Sequence, residues 1–270
     1  MSSFVLVWGG GDLASGIALR LYRAKIRVLV VEIDQPLAVR RSVSFAQAVY
    51  DGQTSIEGVT GQLIAEPQQM VSSWEESSVP VIVDPELDLL DKFKPVVLVD
   101  ARMRKKFYPL SLDLADLIIG LGPGFSAGEN CHAAIETNRG HFLGRVLWEG
   151  SPQVDTGVPG KVQTYRKERV LHAPVGGVVE TIVEIGDTVD KGAPILSVGG
   201  QVIRSPFPGV VRGLIHDGLP VHEGMKVGDV DPRPDNFRCW FVSEKAMAIG
   251  GGVLEAILTL DHIRSQLWEG

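Results

Sequence analysis

Side chains that can bind ligands or transfer protons are concentrated in one stretch of the chain. It carries a thiol (Cys131), two imidazoles (His132 and His141), a carboxylate (Glu136) and a guanidinium (Arg139). A thiol near the start of a helix has thiolate character, which suits sulfur transfer or binding to a soft metal centre. Cys131 and His132 are therefore the candidate catalytic residues, with a small buried cysteine as the alternative. The spacing of the two histidines is weak evidence for metal binding, and no metal site is predicted.

The elements around this stretch predict a place for an anion. The apolar run Leu117–Leu121 is typical of a buried strand, and Gly122 and Gly124 follow it before a segment of helical character that carries Cys131. A strand, a glycine turn and a helix start point backbone N–H groups at a phosphate. We therefore expect Gly122, Gly124 and Arg139 to bind a cofactor, and an ordinary structural turn is the alternative.

The same arrangement occurs at the start of the chain. The strand Phe4–Trp8 is followed by a glycine turn, a helical pattern that ends near Arg23, and the strand Arg27–Glu32. This order matches a dinucleotide-type fingerprint, in which glycines approach a phosphate and a later acidic residue binds a ribose diol. A turn kept only for packing remains open, because Asp12 would place a negative charge beside the phosphate. The candidate binding residues are Gly9, Gly10, Gly11, Asp12 and Glu32.

Further charged candidates follow later strands. Arg40 and Arg41 come after the second strand, and Asp100 and Arg102 come at the end of the strand Val96–Asp100. Ligands of parallel sheets bind beyond the carboxyl ends of the strands, so all four are candidate cofactor-binding residues. A solvated arginine pair and a satisfied Asp100–Arg102 ion pair are the respective alternatives.

Three segments differ in pattern. In residues 1–150, apolar strands alternate with helices, which predicts an α/β Rossmann-like domain with a mainly parallel sheet. Residues 236–270 are expected to form a strand, Arg238–Val242, and a helix that packs back on the rest of the chain. A glycine triplet, Gly250–Gly252, interrupts that helix and indicates close backbone contact.

The segment 151–235 contains an internal repeat. Its glycines, prolines and valines recur 32 positions later, so that Pro174 and Gly177 return as Pro206 and Gly209. The repeat resembles the biotinyl/lipoyl-type domain, an all-β barrel-sandwich hybrid. In that family a lysine between the halves carries the cofactor, but the junction Ser197–Arg204 has no lysine, so a swinging-arm carrier is not expected.

Composition excludes some partners. The formal net charge of −7 argues against a nucleic-acid partner, and no apolar run reaches the length that crosses a bilayer. Two cysteines, Cys131 and Cys239, are too few for a disulfide framework, so a reducing cytoplasm is expected. Homo-oligomerisation is left open.

Several motifs together resemble a known family. They are GGGDLASGIALRL, VVEIDQPLAVRRSVSFAQAVYDG, GLGPGFSAGENCHAAIETNRGHFLGRVLWEG, DTGVPGK and KAMAIGGGVLEAI. They are similar to the YqeB family, the accessory proteins of selenium-dependent molybdenum hydroxylase systems, which is distantly similar to xanthine dehydrogenase accessory factors. The resemblance covers nearly the whole chain, but it supplies no catalytic residues.

The resemblance implies a maturation factor. Its partner would be a molybdenum hydroxylase apo-enzyme and its ligand the molybdenum cofactor or another phosphate-containing pterin or nucleotide. Two alternatives remain: an NAD(P)-dependent oxidoreductase that uses Gly9–Ala14 with Glu32, and a non-catalytic scaffold that docks the hydroxylase through the β domain. Whether the chain catalyses a reaction stays open.

Overall fold

The computed structural model describes residues 3–154 and 167–269. The chain divides into two compact units. Unit one consists of Met1–Pro36, Ser44–Thr156 and Val242–Gly270, and unit two consists of Leu37–Val43 and Gly157–Phe241. The boundaries predicted near residues 150 and 235 do not anticipate that the short segment Leu37–Val43 belongs to unit two.

Unit one is built on a nine-stranded sheet with the order β3-β4-β5-β2-β1-β6-β7-β8-β9. Seven neighbouring strands, from β4 to β8 in that order, run parallel, and the two edge strands pair antiparallel. The central strands are apolar and buried over their whole length, as expected for a sheet covered on both faces. The strands are β1 (Val5–Trp8), β2 (Val28–Glu32), β3 (Gln53–Ile56), β4 (Val59–Ile64), β5 (Val79–Val83), β6 (Val97–Asp100), β7 (Leu117–Leu121), β8 (Ala133–Ile135) and β9 (Val146–Leu147).

The sheet is mainly parallel, as the sequence predicts, but the prediction of a Rossmann-like sheet requires correction, because the two edge strands pair antiparallel and the sheet is mixed. Glu57 and Gly58 form a two-residue turn in which both residues have positive φ, 49° and 82°. Such a turn joins only antiparallel strands, and it therefore places β3 against β4. At the opposite edge β9 folds back on β8.

Few of the connections are long helices. The α-helices are α1 (Asp12–Arg23), α2 (Ala48–Asp51), α3 (Met70–Glu75), α4 (Glu244–Thr259) and α5 (Asp261–Glu269). The predicted strand at Arg238–Val242 is wrong, because this part contains the 3-10 helix Phe237–Cys239. Within the described ranges, no single helix is long and apolar enough to span a membrane.

The helices α1 and α4 pack at backbone contact distance. A Cβ atom on Gly16 would lie 2.6 Å from the Cβ of Ala246, and one on Gly250 would lie 2.9 Å from the carbonyl oxygen of Gly16. Ser243 is the N-cap of α4, and its hydroxyl accepts a hydrogen bond from the N–H of Ala246 at 3.2 Å. The glycines thus allow the C-terminal helix to pack against the first helix of unit one.

Unit two contains two four-stranded antiparallel sheets, with the orders β10-β17-β15-β12 and β14-β13-β11-β16. The strands are β10 (Val170–His172), β11 (Gly177–Thr181), β12 (Thr188–Val189), β13 (Pro194–Val198), β14 (Gln201–Arg204), β15 (Gly209–Leu214), β16 (Pro220–Val221) and β17 (Lys226–Asp231). The sequence repeat corresponds to β11–β13 and β15–β17. The short middle strand of each copy pairs with a strand of the other copy, because β12 pairs with β15 and β16 pairs with β11.

Two buried carboxylates of β17 pair with arginine side chains. Asp229 of β17 accepts two hydrogen bonds from the Arg169 guanidinium, at 2.8 and 3.0 Å, and Asp231 accepts two from Arg233. Burial raises the pKa of Asp231, but hydrogen bonds and charge from Arg233 oppose it and leave the pKa below its usual value. The motif DTGVPGK and the rest of 155–166 lie outside the described residues.

Candidate functional site

The carboxyl ends of the parallel strands form one edge of the unit-one sheet. Trp8 ends β1, Glu32 ends β2, Asp100 ends β6 and Leu121 ends β7. Parallel strands bring these termini to the same side, so residues far apart in sequence become neighbours there. We call this region the carboxyl edge.

Hydrogen bonds with Glu32, Ser15 and Ala46 fix the glycine turn after β1. The N–H of Gly10 donates to Glu32 Oε2 at 2.7 Å, and its carbonyl accepts from the Ser15 hydroxyl at 3.1 Å and from the N–H of Ala46 at 2.9 Å. A Cβ on Gly10 would lie 2.9 Å from the nitrogen of Ala46, so only glycine fits at that position. The sequence did not identify Ser15 or Ala46, because both are ordinary small residues whose role depends on tertiary contact.

Gly11 is the open position in this turn. Nothing lies within 4 Å of a Cβ built on it, and its extended backbone is the N-cap of α1. A helix N-terminus presents N–H groups without intrahelical partners and a positive dipole end. Asp12, the first residue of α1, places its negative charge at that end of the helix.

Glu32 lies beside the turn as a partly buried carboxyl group. Besides Gly10, it accepts the N–H of Ile33 through Oε1 at 2.8 Å. Burial raises its pKa, and the two backbone hydrogen bonds oppose that shift. Burial and the charges of Glu32 and Asp34 also raise the pKa of Tyr50 to about 12. A carboxylate has about four lone-pair sites, so Glu32 retains acceptor capacity for hydroxyl groups.

A fixed guanidinium lies next to the glycine turn. Arg102 binds the fully buried Asp100 through Nε at 3.0 Å and Nη2 at 2.5 Å, so the predicted ion pair is present. Its guanidinium carbon also lies 3.0 Å from the centre of the Trp8 ring, which is a cation–π contact. A Cβ on Gly9 would lie 3.5 Å from Arg102 Cγ. Arg102 is therefore held next to the glycine turn, with 21% of its side chain exposed.

The second glycine loop does not fit an anion, and its predicted role is corrected. The N–H of Gly124 already donates to the carbonyl oxygen of Arg104 at 2.9 Å, and the N–H of Gly122 points at the Ile135 carbonyl. A Cβ on Gly124 would lie 2.6 Å from the carbonyl oxygens of both Arg104 and Lys106. These oxygens would repel a phosphate, so the glycines serve close packing.

The predicted helix around Cys131 is also wrong, because β8 begins at Ala133 and pairs with β7. Cys131 is fully buried, and burial raises the pKa of its thiol to about 12. A buried neutral thiol fits neither sulfur transfer nor binding of a soft metal centre. His132 accepts the N–H of Ile118 through Nδ1 at 2.9 Å, and burial lowers its pKa. Both residues therefore have structural positions.

The remaining charged candidates make local contacts. Arg40 and Arg41 belong to unit two, where Arg40 donates to the carbonyls of Arg238 and Phe241 and Arg41 donates to that of Leu214. Arg139 pairs with Glu244 of α4 in unit one.

Glu136 is buried and accepts the N–H groups of Asn138 and Gln153 at 2.6 and 2.7 Å. It therefore orders the loop that follows β8. In the part of the chain that the structure describes, no group of three or more His, Cys, Asp or Glu side chains is placed to hold a metal ion.

Fold and site together define an α/β unit whose carboxyl edge carries a glycine turn, a carboxyl group and an arginine, joined to a β unit with an interlocked repeat. No family model matches the chain. It is 46% identical over 258 residues to a protein of Escherichia coli K12 named "Uncharacterized protein YqeB". The match includes 96% of this chain and 48% of that protein, so the chain spans about half the length of its curated relative.

Solved structures give only distant matches. An aspartoacylase family protein from Mesorhizobium loti matches with a TM-score of 0.27 and 12% identity, covering 87% of this chain and 86% of that one. The ectoine utilization protein EutE from Ruegeria pomeroyi matches with a TM-score of 0.24 and 12% identity, covering 85% of this chain and 86% of that one. A succinylglutamate desuccinylase from Silicibacter matches with a TM-score of 0.25 and 14% identity, covering 85% of this chain and 84% of that one.

The strand order and pairing of the chain itself correct the fold class predicted from the sequence. The observed architecture is a nine-stranded mixed sheet with two four-stranded antiparallel sheets, not a Rossmann-like domain followed by a barrel-sandwich hybrid.

Proposed function

We propose that the chain binds a phosphate-containing cofactor or nucleotide at the carboxyl edge of unit one. The observation that carries this proposal is the open position at Gly11, in a turn whose Gly9 lies beside the fixed Arg102 and whose Gly10 donates to the partly buried Glu32. The N-terminal N–H groups of α1 and the Arg102 guanidinium suit phosphate oxygens. Glu32 suits ligand hydroxyl groups, such as a ribose diol.

The groups around Gly11 suit such a ligand, and those around Gly124 do not. Around Gly11 there is room for a ligand atom, whereas the carbonyl oxygens around Gly124 exclude an anion. Arg102 needs no rearrangement on binding, because Asp100 and Trp8 already hold its guanidinium. A ligand would therefore gain a charge-assisted hydrogen bond without the entropy loss of ordering a long side chain.

The proposed role of this binding is maturation of a molybdenum hydroxylase. The motif resemblance supports it, and the ligand would then be the pterin phosphate of the molybdenum cofactor. The 46% identical relative carries the same family name, YqeB, and its name states no role. When bound, that cofactor supplies the metal chemistry, and the residues of this chain hold and orient its phosphate end. An NAD(P)-dependent oxidoreductase is the second candidate, favoured by the position of Glu32 beside Gly10.

Native mass spectrometry of the freshly purified protein tests the binding proposal. We expect a co-purified pterin or nucleotide mass, and titration with NADH distinguishes the second candidate. Gly11→Leu should abolish the bound mass while leaving the melting temperature within a few degrees, because nothing lies near its Cβ. Gly11→Ala is the matched small substitution. A clean protein that also fails to bind molybdenum cofactor or NADH would refute the proposal.

The maturation role needs a separate test. The apo-hydroxylase would be produced with wild-type protein or with Arg102→Gln, and its molybdenum content would be measured. We expect the variant to lower the molybdenum content. Equal content with a variant that has lost ligand binding would refute the maturation role and leave the binding site standing.

A further inference from the structure

We infer that unit one has a second ligand site, which takes a small organic anion with an apolar body. It is a cleft of about 360 Å³ between the end of α1, the start of β2 and α3. Val28 begins β2 and Ser78 precedes β5, so the cleft lies at the amino ends of the strands. It is separate from the carboxyl edge and does not depend on the proposed function.

Two aromatic side chains form apolar walls of this amino-edge cleft. The indole N–H of Trp74 donates to the carbonyl of Val28 at 2.8 Å, and the hydroxyl of Tyr22 donates to the carbonyl of Ser77 at 2.9 Å. These bonds satisfy the polar ends of both side chains and fix the rings. Val71 adds an aliphatic surface that is 48% exposed. A ligand therefore meets apolar walls whose polar atoms are already used.

The rim of the cleft carries an excess of positive charge. Lys25 and Arg27 are both exposed lining residues, and Glu75 is the one carboxylate in the lining. Neither cation has an ion pair within the described residues. Two cations against one carboxylate favour an anionic group at the mouth of the cleft.

Two lining residues, Lys25 and Ser77, have a left-handed backbone. Lys25 has a φ of 64° and Ser77 a φ of 58°, and each follows the end of a helix, α1 and α3. Glycine adopts this left-handed conformation without strain, and a non-glycine residue rarely does. Glycine can therefore replace Lys25 without backbone strain.

The cleft size and the wall chemistry define the ligand class. A volume of about 360 Å³ suits a molecule of one or two rings. The occupant would place a planar or branched apolar body against Trp74 and Val71. It would direct a carboxylate, sulfonate or phosphate group to Lys25 and Arg27.

The test uses the aromatic sulfonate 8-anilinonaphthalene-1-sulfonate as a fluorescent probe of the whole protein. We expect saturable binding to the wild type. Lys25→Gly and Arg27→Gln should each weaken it by about threefold, as expected for exposed charges. Val71→Asp should weaken it by about tenfold, because it places a carboxylate on the apolar wall. Lys25→Gly keeps the left-handed backbone, so loss of binding would not reflect unfolding.

A control variant separates this site from the general surface charge. Lys92→Gln removes an exposed lysine outside the lining and should bind the probe like the wild type. Absence of saturable binding would overturn the inference. Equal affinity in wild type, Lys25→Gly, Arg27→Gln and Val71→Asp would also overturn it, because the probe would then occupy another surface.

Discussion

The three consecutive glycines of α4 lie in three different environments, so the same substitution should have three different effects. A Cβ on Gly251 would meet nothing within 4 Å. One on Gly250 would lie 2.9 Å from Arg20 Cγ and from the carbonyl oxygen of Gly16. One on Gly252 would lie 2.2 Å from the carbonyl oxygen of Gly144.

The expected magnitudes follow from two opposing effects. Replacing glycine by alanine in a helix interior stabilises the helix by about 1 kcal/mol. Gly251→Ala should show this gain in full, which raises the melting temperature by about 2–4 °C for a chain of this size. At Gly252 the added carbon meets a backbone atom that cannot move aside, and overpacking costs about 1–3 kcal/mol. Gly252→Ala should therefore be destabilising on balance, and Gly250→Ala should lie between the two.

Thermal unfolding followed by circular dichroism measures the order of the three variants. We expect Gly251→Ala to have the highest melting temperature of the three variants, Gly250→Ala a lower one and Gly252→Ala the lowest. The wild type should melt below Gly251→Ala. If Gly252→Ala melted at or above Gly251→Ala, the packing of α4 against the loop that contains Gly144 would be wrong.

Four further predictions concern buried polar groups. Asp100→Asn should lower the free energy of unfolding by about 2 kcal/mol in urea denaturation, because it removes charge-assisted bonds to Arg102; an unchanged midpoint would contradict the buried ion pair. Asp229→Asn should cost about 3 kcal/mol in the same assay, because Arg169 is left buried without its full partner, and a loss below about 1 kcal/mol would count against that pairing. The thiol of Cys131 should resist Ellman's reagent at pH 8 until the protein unfolds, since its pKa is about 12, and rapid labelling of the native protein would disprove its burial. The unfolded thiol ionises near pH 9, so the stability associated with Cys131 should be full below pH 9 and lost as the pH rises towards 12.

The first strand-turn-helix segment was predictable from local sequence. The apolar runs Phe4–Trp8 and Arg27–Glu32 correspond to β1 and β2, and the helical pattern between them corresponds to α1. Each run has the length and periodicity of its element, and the glycines allow the sharp turn between strand and helix. The repeat in unit two was also visible, because glycines and prolines return at the turns of both copies.

The stretch around Cys131 was not predictable in the same way. Its alanines favour a helix locally, but the chain forms β8, in which Ala133 lies opposite Ile119 of β7. Strand pairing between distant segments outweighs a weak local preference. The same limitation applies to Gly124, whose surroundings come from the carbonyl oxygens of Arg104 and Lys106 and not from its own neighbours in sequence.

The sequence by itself determined where apolar strands, turns and the two repeat copies lie, because periodicity and glycine placement act over a few residues. Only the tertiary structure decided which charged side chains share a site. Arg102 faces Trp8 and Gly9 because β1 and β6 are neighbouring parallel strands, whereas Arg40 and Arg41 make their contacts in unit two. Strand order is set by long-range pairing, which no local pattern in the chain encodes.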